Sequence, residues 1–275
     1  MTKHHLITHS KVKKMKDLKN RLGNGRNYKP LLTVRNVPSK GFSHRIKGWK
    51  TARVHHLFSN LELSFFFSLE WSGTVIDIRE RFPLLPIEKT IEIANRFDIK
   101  HPYDPKTNEP ILMTTDFLTD QKVNSEVHQI AFSVVPSSKQ NNRRFLEKSL
   151  IEKVYWKEQG AGFHIITDED ISLELAENLR WLHDAKDATY SPGLSENEIF
   201  EIEHIITGKS KLTVLKACKE VDIFLNLRPG VSLWVVQYLI ANRIWLVDIT
   251  KVIKLNEPLK YIRNTMLIKA RNQGS

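Results

Sequence analysis

Residues 111–135 carry the sequence ILMTTDFLTDQKVNSEVHQIAFSVV, and this stretch decides the fold. Two extended runs rich in β-branched and aromatic residues, 111–120 and 127–135, flank a polar turn, which predicts a β-hairpin. The charged, periodic segment 142–159 that follows predicts an amphipathic helix, and 163–167 predicts another strand. A hairpin, a helix and a strand in this order predict an α/β fold in which helices flank a mixed sheet.

The segment upstream of the hairpin predicts further elements of the same layered domain. Residues 55–71 carry apolar side chains on nearly every side of a helical projection, so they predict a buried helix. A short strand is predicted at Val75–Glu80 and a helix at Ile87–Phe97, and prolines mark the loops around them. We therefore expect one sheet-containing domain over 55–186.

The chain beyond this domain has a mainly helical pattern. Residues 187–194 include Ser191-Pro192-Gly193 and are the best candidate for a linker. The three helical patterns that follow, and one extended run after them, occupy 195–207, 211–220, 231–242 and Ile244–Ile249. This order predicts a small winged-helix-like α domain over 195–275, a scaffold that binds DNA in some proteins and protein in others.

The positive charge of the chain is concentrated near its N-terminus. The 275 residues have a net charge of +11, yet residues 1–53 alone hold fifteen Lys and Arg residues against one acid, Asp17. Such a basic arm can neutralise phosphates and release their counterions, so it predicts nucleic acid as a partner. The alternative is a solvated tail that only raises solubility. We assign residues 1–54 to a DNA-contacting arm, with contacts predicted from Lys11, Lys13, Lys14, Arg45, Lys47, Lys50, Arg53, His55 and His56.

Two absences limit the class of protein. The single cysteine, Cys218, excludes an internal disulfide and any metal site built on several cysteines. The sequence has no apolar run long enough to span a membrane, and its first residues lack the apolar centre of a secretory signal. We therefore expect a cytoplasmic protein that makes no contact with membranes.

Three acidic residues are candidates for chemistry. Glu62 lies among the apolar residues of the first predicted helix, where it either forms a capping box with Ser59 or binds a metal ion. Asp116 lies inside a predicted strand, where an acid is disfavoured unless the strand is an exposed edge or the acid holds Mg²⁺. Glu152, on the helix after the hairpin, has charged neighbours and is expected at the surface when it is considered alone.

A series of motifs in one order resembles the TnsA family, the endonuclease subunits of heteromeric cut-and-paste DNA transposases. The motifs extend over nearly the whole chain, so together they are more specific than any one of them. They are LLTV at 31–34, VPS at 37–39, SHR at 43–45, RVHHL at 53–57, DIRE at 77–80, FPLLP at 82–86, KHP at 100–102, TDFL at 115–118, YW at 155–156, TD at 167–168 and VDI at 221–223.

The resemblance implies a restriction-endonuclease-like first domain that uses Mg²⁺ to cut the 5′ ends of a transposon. It also implies three partners: transposon-end DNA, a DDE transposase (TnsB-like) that cuts and joins the 3′ ends, and an AAA+ ATPase (TnsC-like) bound by the C-terminal domain. By matching motif, the family's catalytic glutamate corresponds to Glu62 and its metal-binding aspartate to Asp116. A further acid of the family's site corresponds to Glu152.

The chain departs from the family on the second strand of the hairpin. The family carries Gln or Glu, any residue and then Lys there, whereas this chain has Ser133-Val134-Val135. The carbonyl of Val134 and the hydroxyl of Ser133 remain candidate metal ligands, but Val135 cannot supply the charge of the lysine.

This departure leaves two hypotheses open. The first is a Mg²⁺-dependent endonuclease in which another group replaces the lysine. The second is a catalytically silent assembly subunit that holds DNA and bridges the transposase and the ATPase. A general nucleic-acid-binding regulator built on the winged helix is a third class, but it leaves the first domain without a role.

Overall fold

The computed structural model describes residues 7–14, 22–35, 42–186 and 192–264. The chain divides into two compact units, Met1–Ile171 and Ser172–Ser275. Each unit has its own core, so we describe the two in turn.

The first unit is built on a four-stranded sheet. Its elements, in chain order, are α1 (His9–Lys14), β1 (His44–Lys47), β2 (Val54–Leu57), α2 (Asn60–Trp71), β3 (Val75–Pro83), α3 (Ile87–Arg96), β4 (Thr114–Val123), β5 (Glu126–Val134), α4 (Ser137–Gln140), α5 (Arg143–Glu158) and β6 (Gly162–Ile166). Strands β3, β4 and β5 are antiparallel neighbours, and β6 pairs with β5 in parallel orientation. The predicted mixed sheet, with its hairpin, is confirmed.

Helices cover both faces of this sheet. On one face, Phe65 of α2 contacts Phe117 and Phe132, with ring centroids 5.8 and 5.0 Å away. Leu118 follows Phe117 and therefore points to the opposite face, where it is buried in a core shared with α3 and α5. That core also contains Leu84, Ile93, Ala94, Ala131, Ile151, Tyr155 and Trp156.

The helix predicted at 55–71 is wrong in its first part. Val54–Leu57 forms strand β2, which pairs antiparallel with β1 and whose side chains alternate in burial. The helix begins after Ser59, whose hydroxyl oxygen accepts a hydrogen bond from the amide of Glu62 and so caps the helix. The continuous apolar run hid this boundary, because buried strands and buried helices both carry such runs.

Strand β3 has a break in its pleat at Arg81. In a regular strand, residues two apart point to the same face of the sheet. Here Glu80 contacts His55 on the side of α2, whereas Phe82 contacts Trp156 of α5 on the other side. The backbone of Arg81 has a φ of 50°, in the left-handed region, and this reverses the alternation between its two neighbours.

The second unit is mainly helical. Its elements are α6 (Leu173–Leu182), α7 (Glu196–Gly208), α8 (Val214–Phe224), α9 (Val231–Ala241), β7 (Trp245–Leu246) and β8 (Ile262–Arg263). Strands β7 and β8 form a short antiparallel pair, so the strand predicted at 244–249 is only two residues long. The winged-helix assignment of this unit stays a prediction.

Helix α6 belongs to the second unit, whereas we had assigned it to the first domain. The side-chain amide of its Asn178 donates to the carbonyls of Ile249 and Lys251, at 2.8 Å each. The division after Ile171 therefore precedes the linker predicted at 187–194, of which 187–191 lie outside the described residues.

The helices of both units are short. The longest in the described ranges, α5, has 16 residues. Across the part of the chain that the structure describes, no helix combines the length and the apolar character that crossing a membrane requires.

Candidate active site

Asp116 lies on β4 and contacts both neighbouring strands. Its Oδ1 accepts a hydrogen bond from Nη1 of Arg81 on β3 at 2.6 Å. Its Oδ2 accepts one from the backbone amide of Val134 on β5 at 2.7 Å. Strand β4 is central in the sheet, so the exposed-edge explanation of this acid is wrong.

Glu62 lies in the first turn of α2 and approaches the same arginine. Its Oε2 accepts a hydrogen bond from the amide of Phe58 at 2.9 Å, while its Oε1 lies 2.5 Å from Nη2 of Arg81. The capping role and a role in a site are therefore compatible. One carboxylate oxygen serves the helix end, and the other points at the cation that Asp116 also contacts.

Glu152 is a buried residue on α5, so the expectation of a surface charge is wrong. Among the described residues, its Oε2 has no hydrogen-bond partner. Burial, reinforced by the negative charge of Asp116, raises the pKa of Glu152 to about 8. Burial therefore favours the protonated form of Glu152.

The electrostatics of this cluster are dominated by Arg81. Burial works to lower the pKa of Arg81, but Asp116, Glu62 and Glu152 outweigh it and raise the pKa above its ordinary value. Burial also raises the pKa of Glu62, to about 7, against the opposing charge of Arg81. The guanidinium carbon lies 4.7 Å from the centroid of the Phe58 ring, which shields one face of the arginine.

The donor set around Arg81 has the chemistry that Mg²⁺ prefers, namely carboxylate oxygens. Two of these oxygens, from Glu62 and Asp116, contact the guanidinium of Arg81. Glu152, whose Oε2 has no hydrogen-bond partner within the described residues, acts electrostatically on the same arginine. In the described ranges, however, no three His, Cys, Asp or Glu side chains are arranged to share one metal ion. The two carboxylates of Glu62 and Asp116 therefore have the chemistry to bind a divalent cation as a pair.

The segment that departs from the family pattern lies at the end of β5. Ser133 and Val135 are both buried, and the amide of Val135 donates to the carbonyl of Ile166 at 2.9 Å. The amide of Val134 is the group that orients Asp116. The metal-binding roles predicted for the Val134 carbonyl and the Ser133 hydroxyl stay predictions. The aliphatic side chain of Val135 brings no charge to the site.

Two of the predicted DNA contacts are corrected to core residues. Arg53 donates to Glu80 through Nη1 and Nη2 at 2.9 and 2.6 Å, and Nδ1 of His55 lies 2.9 Å from Oε2 of the same acid. Burial lowers the pKa of His55. Burial acts to raise the pKa of Glu80, but His55 and Arg53 hold that pKa well below its ordinary value. Because both basic side chains are buried, they stabilise Glu80 and do not face solvent.

The remaining residues predicted to contact DNA differ in how far their side chains are exposed. Lys11, Lys13 and Lys14 on α1, and Arg45 on β1, are exposed. Their contacts with DNA stay predictions. The parts of the basic arm at 1–6, 15–21 and 36–41 lie outside the described residues.

Three further residues of the arm and its junction are half-buried: Lys47, Lys50 and His56. Nζ of Lys50 donates to the carbonyl of Ser72 at 2.8 Å. Burial lowers the pKa of His56, which favours its neutral form. Contacts from these three residues to DNA also stay predictions.

Arg81 is the residue that the sequence analysis missed. It directly follows the DIRE motif at 77–80, which marked the segment as charged but gave no sign of a pleat reversal. The available signal was a run of charged residues inside a strand, since charges buried in a sheet need partners.

Comparisons with known proteins agree over both units. The family model described as "TnsA-like endonuclease N terminal" matches residues 72–168, and the model described as "TnsA endonuclease C terminal" matches residues 170–249. The chain is also 40% identical over 235 residues to "Transposon Tn7 transposition protein TnsA" of Escherichia coli, which covers 86% of this chain and 84% of the relative.

Proposed function

The chain belongs to the TnsA endonuclease family, and we propose on that premise that it is a DNA transposition subunit that cuts DNA with Mg²⁺. It cleaves the 5′ ends of a transposon beside a DDE transposase partner. The observation that carries this proposal is the convergence of the Glu62 and Asp116 carboxylates on one positive group, with O···N distances of 2.5 and 2.6 Å. Paired acids of this kind are what a divalent cation needs at the edge of a DNA-binding surface.

Glu62 and Asp116 would hold the ion, with the Val134 carbonyl and the Ser133 hydroxyl as nearby oxygen donors. Bound Mg²⁺ would polarise the scissile phosphate and favour ionisation of a water molecule. Backbone hydrogen bonds already orient both acids. The amide of Val134 orients Asp116, and the amide of Phe58 orients Glu62, so little side-chain ordering remains when DNA arrives.

Glu152 would act in proton transfer. Burial raises the pKa of its carboxyl group to about 8, and one of its oxygens has no hydrogen-bond partner within the described residues. A carboxyl group that holds its proton can donate it to a leaving oxygen during phosphodiester cleavage. This supports its assignment as the third acid of the site.

The buried side chain of Val135 favours a second candidate function, that of a catalytically silent assembly subunit. A lysine at this position would place a positive charge where negative charge develops in the transition state. Losing such a charge costs on the order of several kcal/mol of transition-state stabilisation. In this case, the basic arm holds transposon-end DNA, and the C-terminal winged-helix-like domain contacts the AAA+ ATPase.

Strand-specific mapping of transposon ends separates the two candidates. The chain is reconstituted with its transposase and Mg²⁺, beside the variants Asp116→Ala and Val135→Lys. For an active endonuclease, we expect the parent to cut the 5′ ends and Asp116→Ala to reduce this cut by about 100-fold or more. Replacing Mg²⁺ with a chelator should give the same loss.

The matched control is Glu126→Gln, an exposed acid on the same hairpin, which should cut like the parent. If the parent leaves the 5′ strands intact and only Val135→Lys cuts them, the silent-subunit function is correct. Cleavage by Asp116→Ala at the parent's rate would contradict the assignment of the site.

A further inference from the structure

The guanidinium of Arg81 lies between two carboxylates, those of Asp116 and Glu62. Nη1 contacts Oδ1 of Asp116 and Nη2 contacts Oε1 of Glu62. These are the oxygens that converge, so they are also the ones a shared cation would bind. A divalent ion coordinates such oxygens at about 2.1 to 2.5 Å, which leaves no space for two nitrogens at hydrogen-bond distance. The arginine and the ion therefore exclude each other.

The chain accepts a backbone cost to hold Arg81 in this position. A left-handed backbone is energetically unfavourable at a residue other than glycine. Arg81 adopts it with a φ of 50°, and the resulting pleat reversal separates Glu80 from Phe82. The Phe58 ring then covers the guanidinium at 4.7 Å. Backbone and ring together hold the arginine against the acid pair.

The side chain of Arg81 is nevertheless partly exposed to solvent, so it can turn away from the acids. About 20% of its surface is exposed, compared with 8% for Arg53, which is locked in the core on Glu80. The charge balance also favours exchange, since one arginine contacts two carboxylates, those of Glu62 and Asp116. A doubly charged ion compensates this cluster better than a single guanidinium does.

We propose that Arg81 is a resident cation that holds Glu62 and Asp116 together in the metal-free protein and competes with a divalent ion for them. The inference rests on the proposed metal-dependent function and adds its regulation. Metal binds only when the arginine turns outward, so the chain binds metal more weakly than its acid pair alone would. Arg81 is a positioning residue, because it acts through the two acids.

Calorimetric titration of the full chain with Mn²⁺ tests this competition. The parent is compared with Arg81→Gln, which removes the charge, with Arg81→Lys, which keeps it, and with Arg96→Gln as a control. Arg96 also pairs with a glutamate, Glu158, but lies outside the site. We expect Arg81→Gln to bind Mn²⁺ at least about tenfold more tightly, which is 1.4 kcal/mol. Arg81→Lys should bind with intermediate affinity, and Arg96→Gln like the parent.

The outcomes separate this inference from the proposed function. Parent binding with equal or weaker binding by Arg81→Gln overturns the competition and leaves the metal-dependent function standing. Tight binding by Arg81→Gln alone supports the competition and shows that the parent is blocked. If neither the parent nor any variant binds Mn²⁺, both the inference and the metal-dependent function are wrong.

A second measurement does not need Arg81→Gln, in case that variant does not fold. The Nε–Hε resonance of Arg81 is identified in NMR spectra by its loss in Arg81→Lys. Saturating Mg²⁺ should shift this resonance and speed its exchange with water, because the guanidinium leaves the acids. A resonance that is unchanged at saturating Mg²⁺ overturns the proposal.

Discussion

Two neighbouring residues of strand β3 stand at the centre of two ion clusters with opposite charge balance. Glu80 is one acid surrounded by donors, with two hydrogen bonds from Arg53, one from His55 and one from the amide of His56. Arg81 is one cation surrounded by acids. The left-handed backbone at Arg81 directs the two side chains to different places.

The difference teaches how to tell a structural cluster from a functional one. Around Glu80, both carboxylate oxygens have partners, so nothing further is needed to stabilise the charge. Around Arg81, the acids outnumber the cation, and an oxygen of Glu152 lacks a partner within the described residues. A buried surplus of negative charge is costly unless a ligand or a proton compensates it, and this is why we propose the second cluster as the site.

The largest expected difference between the two clusters is the loss of stability when Glu80 is replaced. We expect Glu80→Gln to lower the free energy of unfolding by about 3 to 5 kcal/mol, because Arg53 would remain buried without a counter-charge. Urea denaturation measures this loss. The matched variant Glu62→Gln should cost clearly less, since it reduces a surplus of acid. Equal losses for the two variants would contradict the distinction between the clusters.

The cluster around Arg81 should also make stability depend on pH, through Glu152. Its pKa is raised from 4.5 to about 8 in the folded chain, so the folded state binds a proton that the unfolded state has released between these pH values. The parent therefore loses stability as pH rises through this window. We expect Glu152→Gln to avoid this loss, so its advantage should grow by about 1 to 3 kcal/mol between pH 5 and 8.5.

Urea denaturation in the presence of a chelator, at both pH values, measures the advantage of Glu152→Gln. The control is Glu147→Gln on the same helix. Glu147 pairs with Arg143 and Arg144, which hold its pKa below the ordinary value, so its stabilising effect is lost only at lower pH. An advantage of Glu152→Gln that stays constant with pH would show that Glu152 is ionised in the folded chain.

The smallest expected effect concerns the ring that covers Arg81. We expect Phe58→Leu to lower the metal-free unfolding free energy by about 0.5 to 1 kcal/mol through the lost cation–π contact. Thermal denaturation of the parent and the variant measures it. Phe97→Leu is the control, because Arg96 lies 5.3 Å from the exposed ring of Phe97. A larger effect at Phe97 would argue against a specific role of Phe58.

The elements with clear local signals could be predicted from the sequence. The alternation and polar turn of 111–135 gave the hairpin, and the strands carrying it formed the mixed sheet. Glu62 and Asp116 were found because a charge in an apolar helix or strand needs a partner. Their common partner was not found, because the pleat reversal at Arg81 is set by contacts on both faces of the sheet, which no local pattern records.

Burial of charged residues was the other feature beyond the reach of the sequence. The density of Lys and Arg near the N-terminus suggested DNA contact for Arg53 and His55. Both are core residues, because Glu80 on β3 is buried beside them, and only the folded pairing of strands brings that acid there. The boundary of the second unit was misplaced for a similar reason, since the contacts of Asn178 with residues far along the chain are not visible locally.

The hydrogen bond from the amide of Val134 to Asp116 has a consequence for redesign. This contact comes from the main chain, so exchanging the side chains at 133 and 135 leaves it in place. Only a proline at 134, which has no amide hydrogen, would delete it. The hydrogen bond that orients Asp116 thus does not depend on the side chains of Ser133 and Val135. Side chains of similar size can therefore be exchanged at these two buried positions without removing the hydrogen bond to the aspartate.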